Sequence, residues 1–403
     1  MIKKSLNTSK RACLAQFSPI RKFVPLLEET KKKGVEVFEL HIGQPDMATP
    51  AEILKRIRSF KDKTLVYTPS SGVLETRLAW QKYYKKVGIN INVSEIIVTT
   101  GGSEAILFAF AAICSPGQEI IVFEPFYTNY NGYASMLGIK LTPLKTFAEA
   151  GFHLPGQKMI ESKINGKTRG ILICNPNNPT GTVYNKKELK MVAGIAKKHN
   201  LFVLSDETYR EFVYDGEKHY SMMNFPDIKD KVVLLDSISK RFNACGARIG
   251  CLASKNKEII EAATKFAQAR LSSPIIEQLA AIPLLENSLK YTKKVALEYR
   301  KRRDVIFETI EKMSDVLCVK PKGAFYAIIK LPIKDSDHFT RWLLTEFSYK
   351  GKTLLVSPAS DFYATKGFGQ DEIRLAFVLS CPKLREAMRI FEKGLERYMT
   401  LKN

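Results

Sequence analysis

The 403-residue sequence contains no long hydrophobic run, and this absence excludes one class of protein. No stretch approaches the roughly 18 consecutive apolar residues of a transmembrane helix, so we expect no membrane span. The first residues, MIKKSLNTSKRACLAQF, are basic but lack the apolar core of a secretory signal. We therefore expect a cytoplasmic protein with a flexible basic arm, and an organellar transit segment is the alternative.

Closely spaced cysteine pairs are also absent. The seven cysteines are scattered along the chain, odd in number and free of Cys-x-x-Cys spacing. They are Cys13, Cys114, Cys174, Cys245, Cys251, Cys318 and Cys381. This pattern indicates reduced thiols and predicts no metal site.

Acidic residues are scarce relative to basic ones. The chain has 63 Lys and Arg against 41 Asp and Glu, a formal charge of +22. Such an excess can indicate a nucleic-acid-binding regulator, which is the alternative from a different functional class. The lysines, however, are spread along predicted helices, and no helix-turn-helix, zinc finger or aromatic-basic motif accompanies them. The pattern therefore favours a solvated basic surface and no nucleic-acid partner.

Strands and helices alternate between residues 50 and 285, which predicts an α/β domain with a mainly parallel sheet. No repeat or low-complexity linker interrupts the chain. A long helical stretch from Ile275 to about Lys312 leads out of this region. We therefore predict an N-terminal arm and part of a small domain in residues 1–48, a large domain in 49–285, and a small α+β domain in 286–403.

The segment VVLLDSISKRFNACGARIG, residues 232–250, carries the clearest chemical signal. Its apolar start predicts a buried strand, whose end brings Ser237, Ser239 and Lys240 together. Arg248 follows in a glycine-spaced stretch and can return to the same place. The amine can form an imine with an aldehyde, and the guanidinium can bind a phosphate through two hydrogen bonds. Pyridoxal phosphate is a ligand that carries both groups. A lysine at a strand end is more often merely solvated.

The whole string Ser-x-Ser-Lys with Gly-Ala-Arg-Ile-Gly resembles the cofactor-lysine segment of the fold-type I pyridoxal-phosphate aminotransferases, the class I/II family. The resemblance runs from about Ser18 to Met399. It implies a mainly parallel, seven-stranded-type sheet in the large domain, a smaller α+β domain, and a homodimer with shared active sites. It also implies that Lys240 holds pyridoxal 5'-phosphate as an imine and later moves the proton of the substrate α-carbon.

A glycine turn follows the predicted strand EIIVTT, residues 95–100, and opens an apolar helix. Free amides and the helix dipole at such a turn bind anions. The resemblance implies that the backbone of Gly102, Ser103 and Glu104 contacts the cofactor phosphate. Capping of the helix by Ser103 is the alternative.

Two further predicted strand ends carry polar residues. NPNNPTG follows the strand of residues 170–174, and its prolines and glycine fix the backbone around Asn178. The resemblance implies that Asn178 and Tyr209 donate to the phenolic oxygen of the cofactor. It also implies that Asp206 faces the pyridine nitrogen and keeps it protonated, although Asp206 could instead cap a helix.

The remaining candidates rest on the resemblance as well. Tyr127 would stack on the cofactor ring, with Phe126 as the alternative, and Tyr67 would reach the phosphate of the neighbouring subunit. On the substrate side, Gly43 and Asn178 would lie near the substrate, and Arg374 would hold its α-carboxylate. The last candidates are Arg270, as a contact to a distal acidic group, and Phe325 and Tyr326, as apolar neighbours of the substrate.

These features predict an aminotransferase that moves an amino group between an L-amino acid and a 2-oxo acid. Some aspartate aminotransferases carry lysine after the glycine pair of the phosphate turn, where this chain has Ser103. This departure weakens an aspartate assignment and leaves aromatic amino acids, alanine or a biosynthetic intermediate open. A carbon-sulfur β-lyase of the same fold, which expels a leaving group, is the alternative reaction.

Overall fold

The computed structural model describes residues 8–18 and 20–402. In those residues the helices are α1 Lys10–Leu14, α2 Val24–Lys32, α3 Ala51–Arg58, α4 Leu74–Lys86, α5 Gly101–Ile113, α6 Asn129–Leu137, α7 Gln157–Glu161, α8 Lys186–Lys198, α9 Ile238–Arg241, α10 Lys257–Arg270, α11 Ile275–Ile310, α12 Ser336–Thr345 and α13 Cys381–Lys402. The strands are β1 Glu36–Glu39, β2 Ile96–Thr100, β3 Glu119–Glu124, β4 Lys140–Lys145, β5 Thr168–Cys174, β6 Phe202–Asp206, β7 Val232–Ser237, β8 Ile249–Ala253, β9 Tyr326–Lys330, β10 Lys352–Leu355, β11 Ser357–Pro358 and β12 Glu372–Ala376.

The central sheet has seven strands in the order β2-β8-β7-β6-β5-β3-β4. Strands β3 to β7 pair in parallel, whereas β8 runs antiparallel to both of its neighbours. The prediction of a mainly parallel α/β sheet is therefore confirmed. Because parallel strands end at one edge, the residues that follow β5, β6 and β7 meet there.

Helices cover both faces of this sheet, which explains the apolar runs in its strands. In β5, Ile171 and Ile173 pack into the core on one face, and Leu172 between them packs into the core on the other face. Successive side chains of a strand point to opposite faces, so a strand buried on both sides needs apolar residues at every position. The strand that was predicted from residue 232 onward is of this kind and is buried throughout.

Two smaller sheets form a second unit beside the large one. Strand β1 pairs in parallel with β10, and β11, β12 and β9 form an antiparallel sheet. The N-terminal and C-terminal parts of the chain therefore meet in this unit. Helix α11 follows the large sheet in the chain and has a kink at Asn287, where φ and ψ leave the helical region. The boundary proposed at residue 285 stays a prediction.

Among the described residues, none of the helices combines the length and the apolar character that a membrane crossing requires. The same residues contain no group of three or more His, Cys, Asp or Glu side chains placed to hold a metal ion.

Candidate active site

A cavity of about 550 Å³ lies at the edge where the parallel strands of the large sheet end. Twelve of the residues predicted for the site line it: Gly43, Gly102, Ser103, Tyr127, Asn178, Asp206, Tyr209, Ser237, Ser239, Lys240, Arg248 and Arg374. Tyr326, which was predicted as a substrate neighbour, lines it too, whereas Phe325 is buried in the core behind it. Residues that are far apart in sequence are thus gathered around one space.

Lys240 enters the cavity from the short helix α9, directly after β7. Ser237 caps this helix, and its side-chain oxygen accepts a hydrogen bond from the amide of Ser239 at 3.1 Å. The Lys240 Nζ donates to the carbonyl of Gly43 at 2.7 Å and lies 3.7 Å from the Cys245 Sγ. A Cβ at position 43 would come within 1.7 Å of the Tyr326 hydroxyl, so glycine is required for this approach.

Arg248 lines the cavity beside the start of helix α5. Its backbone has φ of 52°, a left-handed conformation, and its Nη1 donates to the Cys245 carbonyl at 3.0 Å. The guanidinium lies against Gly101, where a Cβ would be 2.4 Å from the Arg248 Nη2. Helix α5 begins at Gly101, and its N-cap residue Thr100 makes no side-chain cap hydrogen bond. A guanidinium and a helix N-terminus together form a site for a phosphate group.

Asp206 ends β6 and is buried beneath the cavity. Its Oδ2 accepts a hydrogen bond from the Tyr130 hydroxyl at 2.7 Å, and its Oδ1 accepts one from the Thr208 amide at 3.2 Å. Burial raises the pKa of the Asp206 carboxyl above its ordinary value. A carboxylate at this depth is stabilised by a cationic partner, and a protonated ring nitrogen of a ligand in the cavity would supply one.

Arg374 reaches the opposite end of the cavity from β12. Its Nη1 donates to the Asn178 Oδ1 at 3.2 Å, and its Nη2 donates to the His41 carbonyl at 2.5 Å. The guanidinium lies 4.7 Å from the ring centres of both Tyr326 and Phe362, which fix its plane. Its Nε is buried and has no partner in the described part of the chain. A buried guanidinium with an unsatisfied edge is suited to a two-pronged bond with a carboxylate.

Three tyrosines complete the walls. The Tyr209 and Tyr326 hydroxyls lie 2.9 Å apart, and burial raises the pKa of Tyr209 well above its ordinary value. Burial also raises the pKa of Tyr127, so its ring stays neutral and can stack on a flat ligand. Phe126, the alternative stacking residue, is buried against Tyr130 and is absent from the residues that line the cavity.

Glu104, Arg270 and Tyr67 are not among the residues that line the cavity. The Glu104 carboxylate accepts a hydrogen bond from the Thr100 amide and forms an ion pair with Arg270, both at 2.8 Å. Arg270 also donates to the Ser70 carbonyl at 2.9 Å, so its guanidinium joins the start of α5 to the loop at Ser70. The structure therefore gives no support to a contact between Arg270 and the substrate within one chain. Tyr67 lies on the surface and is 78% exposed.

Residues 35–391 match the family model described as aminotransferase class I and II. The chain belongs to this family. The match covers most of the sequence, so it includes every segment that contributes to the cavity except the N-terminal residues Ser18, Ile20 and Arg21.

Individual aminotransferases resemble the chain over nearly its full length. An aspartate aminotransferase of Pyrococcus horikoshii is 33% identical over 98% of each chain, and an aromatic-amino-acid aminotransferase of Thermococcus litoralis is 32% identical over 96% of this chain and 98% of its own. Among solved structures, an alanine aminotransferase from Pyrococcus furiosus has a TM-score of 0.89 and 31% identity, with 97% of this chain and all of the other covered. The fold is therefore that of the fold-type I aminotransferases.

Sequence reasoning missed some of the residues that line the cavity. The additional lining residues are Ser18, Ile20, Arg21, Ile42, Ile106, Asn129, Cys174, Thr208 and Cys245. Several of them adjoin residues that were predicted, such as Thr208 beside Asp206 and Ile42 beside Gly43, and could have been found by extending each segment. The N-terminal residues carried no signal, because only the fold brings them to the cavity.

A buried cluster of charges lies beside the short helix α9, which carries Lys240. Asp236, at the end of β7, is fully buried and accepts hydrogen bonds from Arg241 and from Arg210, the latter at 2.9 Å. Arg210 also pairs with Glu207 at 2.8 Å. Buried ion pairs of this kind fix side-chain positions at the cost of desolvation. Since Arg241 directly follows Lys240, the cluster anchors the helix that carries the lysine.

Proposed function

We propose that the protein is a pyridoxal-phosphate-dependent aminotransferase that moves an amino group between an L-amino acid and a 2-oxo acid. The observation that carries the proposal is the placement of the Lys240 amine in one cavity with Asp206, Arg248 and Arg374. The amine is complementary to an aldehyde, and the two guanidinium groups are complementary to a phosphate and to a substrate carboxylate. The carboxylate of Asp206 is complementary to a protonated ring nitrogen. The carbon-sulfur β-lyase has no comparable support, because the matched relatives described above are named as aminotransferases.

The residues of the cavity fit the cofactor at both of its ends. The phosphate would be held by Arg248, by the hydroxyls of Ser237 and Ser239, and by the start of α5 at Gly102 and Ser103. The glycine at position 101 leaves the space in which the guanidinium and the helix start come together.

The ring of the cofactor would be held by different groups. Asp206 would face the pyridine nitrogen, Tyr127 would stack on the ring, and Asn178 and Tyr209 would bind the phenolic oxygen. When bound, pyridoxal phosphate supplies an aldehyde that joins an amine and a ring that withdraws electrons from the reacting carbon.

The side chains of this protein then perform separate tasks. The Lys240 amine, which donates to the Gly43 carbonyl at 2.7 Å, would hold the cofactor aldehyde and would serve as the base for the proton of the substrate α-carbon. Arg374 orients the substrate through its carboxylate, since its plane is fixed by two aromatic rings. Ile42 and Ile106 contribute apolar wall, which helps to exclude water from the reacting atoms.

We further propose that the enzyme is a cytoplasmic homodimer. All seven cysteines are free, as suits a reducing compartment. On the chain taken alone, the consecutive residues Leu65, Val66 and Tyr67 are 64%, 61% and 78% exposed. Such an exposed apolar run favours contact with a second copy of the chain.

The test of the function is an absorbance spectrum of the purified protein and of its Lys240→Ala variant, followed by a panel of amino donors. The wild-type protein should show a near-visible band that shifts when an amino donor is added. The variant should lose this band and about a thousandfold or more in turnover, as expected for loss of an essential nucleophile and base. Lys163→Ala, at an exposed lysine that does not line the cavity, is the matched control. Near-normal turnover in Lys240→Ala would contradict the proposal.

A further inference from the structure

Arg21 lies at the cavity and has no role in the proposed cofactor or α-carboxylate contacts. It lines the cavity together with Ser18 and Ile20, which come from the same N-terminal segment. Among the described residues, Arg21 forms no ion pair at 4 Å or less. Its side chain therefore offers a planar pair of donors to whatever occupies this end of the cavity.

The segment that carries Arg21 is held in place by its neighbours. The next residue, Lys22, forms ion pairs with Asp337 and Asp361, the second at 2.6 Å. Phe23 is buried at 3% exposure, and Ile20 packs against the core cluster that contains Phe362. The two residues that flank Arg21 are thus bound to the body of the protein, which places the guanidinium at the cavity wall.

The charges that line the cavity leave one cation unbalanced. In the described part of the chain, the lining cations other than Arg21 are Lys240, Arg248 and Arg374, and the lining carboxylate is Asp206. The proposed function assigns Arg248 to the phosphate, Arg374 to the substrate α-carboxylate, Lys240 to the aldehyde and Asp206 to the ring nitrogen. Arg21 then remains without a counter-charge.

Two further polar side chains of the cavity can bind a second polar group on the substrate. Ser18 and Asn129 line the same cavity as Arg21 and can donate hydrogen bonds. The amide of Asn129 already donates to the Tyr127 hydroxyl at 2.8 Å, so this wall is ordered. Because Ser103 replaces the lysine that some aspartate aminotransferases carry after the glycine pair, Arg21 is a separate source of positive charge here.

We propose that Arg21 binds a second carboxylate on the substrate side chain and makes the enzyme selective for acidic amino acids and their oxo acids. This inference rests on the proposed function and names its substrate class. The guanidinium would act as a specificity-determining residue that distinguishes a carboxylate from the isosteric amide.

The test compares acidic donors with their amides in the wild-type holoenzyme and in Arg21→Gln. We expect kcat/KM for glutamate or aspartate, divided by that for glutamine or asparagine, to fall about two- to fivefold in the variant, as for an ion pair near the protein surface. Arg21→Lys should recover part of the ratio. Arg341→Gln, which removes the same charge from an exposed site outside the cavity, should leave the ratio unchanged.

Equilibrium binding gives a second readout that does not depend on turnover. Titration calorimetry with succinate and with its monoamide, succinamate, should show tighter binding of the dicarboxylate to the wild-type protein, and Arg21→Gln should lose that preference. A wild-type enzyme that transaminates but prefers neutral donors, or a variant that keeps the wild-type ratio, would overturn the assignment of Arg21. A wild-type protein that converts no amino donor would instead overturn the proposed function.

Discussion

At the scale of one residue, the buried Glu372 carboxyl makes the free energy of unfolding depend on pH. Its carboxylate accepts a hydrogen bond from the Tyr363 hydroxyl at 2.6 Å, two positions before Arg374 on the same strand. Burial raises the pKa of Glu372 from 4.5 to about 7, against the lowering effect of the Tyr363 hydroxyl. The folded state therefore keeps a proton that the unfolded chain loses above its own pKa.

The sign of the effect gives the first prediction. Because the folded pKa is raised, the stabilisation by the proton is complete below pH 4.5 and is lost as the pH rises through about 7. Glu372→Gln keeps a neutral acceptor for Tyr363, so it should be more stable than the wild type at pH 8 by about 1 to 3 kcal/mol and similar at pH 4.5. Urea denaturation at both pH values measures this difference.

The exposed Glu29→Gln serves as the control for that measurement, since it removes the same charge from the surface. An equal stability difference for Glu372→Gln at the two pH values would show that Glu372 ionises normally in the folded protein.

Individual site residues could be predicted where the chemistry is contiguous in sequence. Ser237, Ser239, Lys240 and Arg248 lie within one segment, and the structure brings them to one cavity. Tyr130 was not predicted, although its hydroxyl binds Asp206, because the two residues are 76 positions apart. Such a contact depends on how β6 and α6 pack, which no local pattern records.

At the scale of elements, the end of β3 is tied to a loop of the second unit. The Glu124 carboxylate is fully buried and accepts hydrogen bonds from the amides of Ala364 and Thr365, at 2.9 and 3.0 Å, and from the Thr365 hydroxyl at 2.6 Å. Tyr127 follows three residues later and lines the cavity. The loop therefore fixes the start of the segment that carries Tyr127.

Glu124→Gln tests this connection with almost no change in volume. The amide oxygen can still accept from both backbone amides, but the carboxylate charge is lost and an NH2 group replaces the oxygen that accepts from the Thr365 hydroxyl, so we expect a loss of about 1 to 2 kcal/mol in the free energy of unfolding. We also expect faster hydrogen exchange at residues 364 and 365, measured by mass spectrometry.

Thr365→Val is the matched variant, because it removes the hydroxyl and leaves both amide contacts in place. It should cost less stability than Glu124→Gln. If Glu124→Gln matched the wild type in both measurements, the connection would have no energetic role.

The strands of the sheet were predictable as buried apolar runs, and the run predicted from residue 232 extends in the structure to Ser237. The long helix was predicted to end at about Lys312, and α11 ends at Ile310. The antiparallel direction of β8 was not predicted, since composition does not encode strand polarity. The direction follows from how Arg248 turns the chain back beside β7.

At the scale of the whole molecule, the exposed run at residues 65–67 predicts the oligomeric state. Light scattering of the wild-type protein should give twice the 45.6 kDa of one chain. Val66→Glu places a charge in the apolar run and should shift the protein toward the monomer, because a buried unpaired charge is costly.

Met159→Glu is the control, since Met159 is another exposed apolar residue, at 51%, outside that run. A dimer that tolerates Val66→Glu at micromolar concentration would place the interface elsewhere.

The hydrogen bond between Arg374 and Asn178 joins residues 196 positions apart, one from each unit. If a bound cofactor restrains Asn178, Arg374 loses less conformational entropy when it binds a substrate carboxylate. By thermodynamic linkage, the cofactor and the substrate then raise each other's binding affinity by the same factor. The protein without cofactor should therefore bind carboxylic acids more weakly than the protein with cofactor. The cofactor would then bind before the substrate, and no conformational change of the backbone is needed to impose this order.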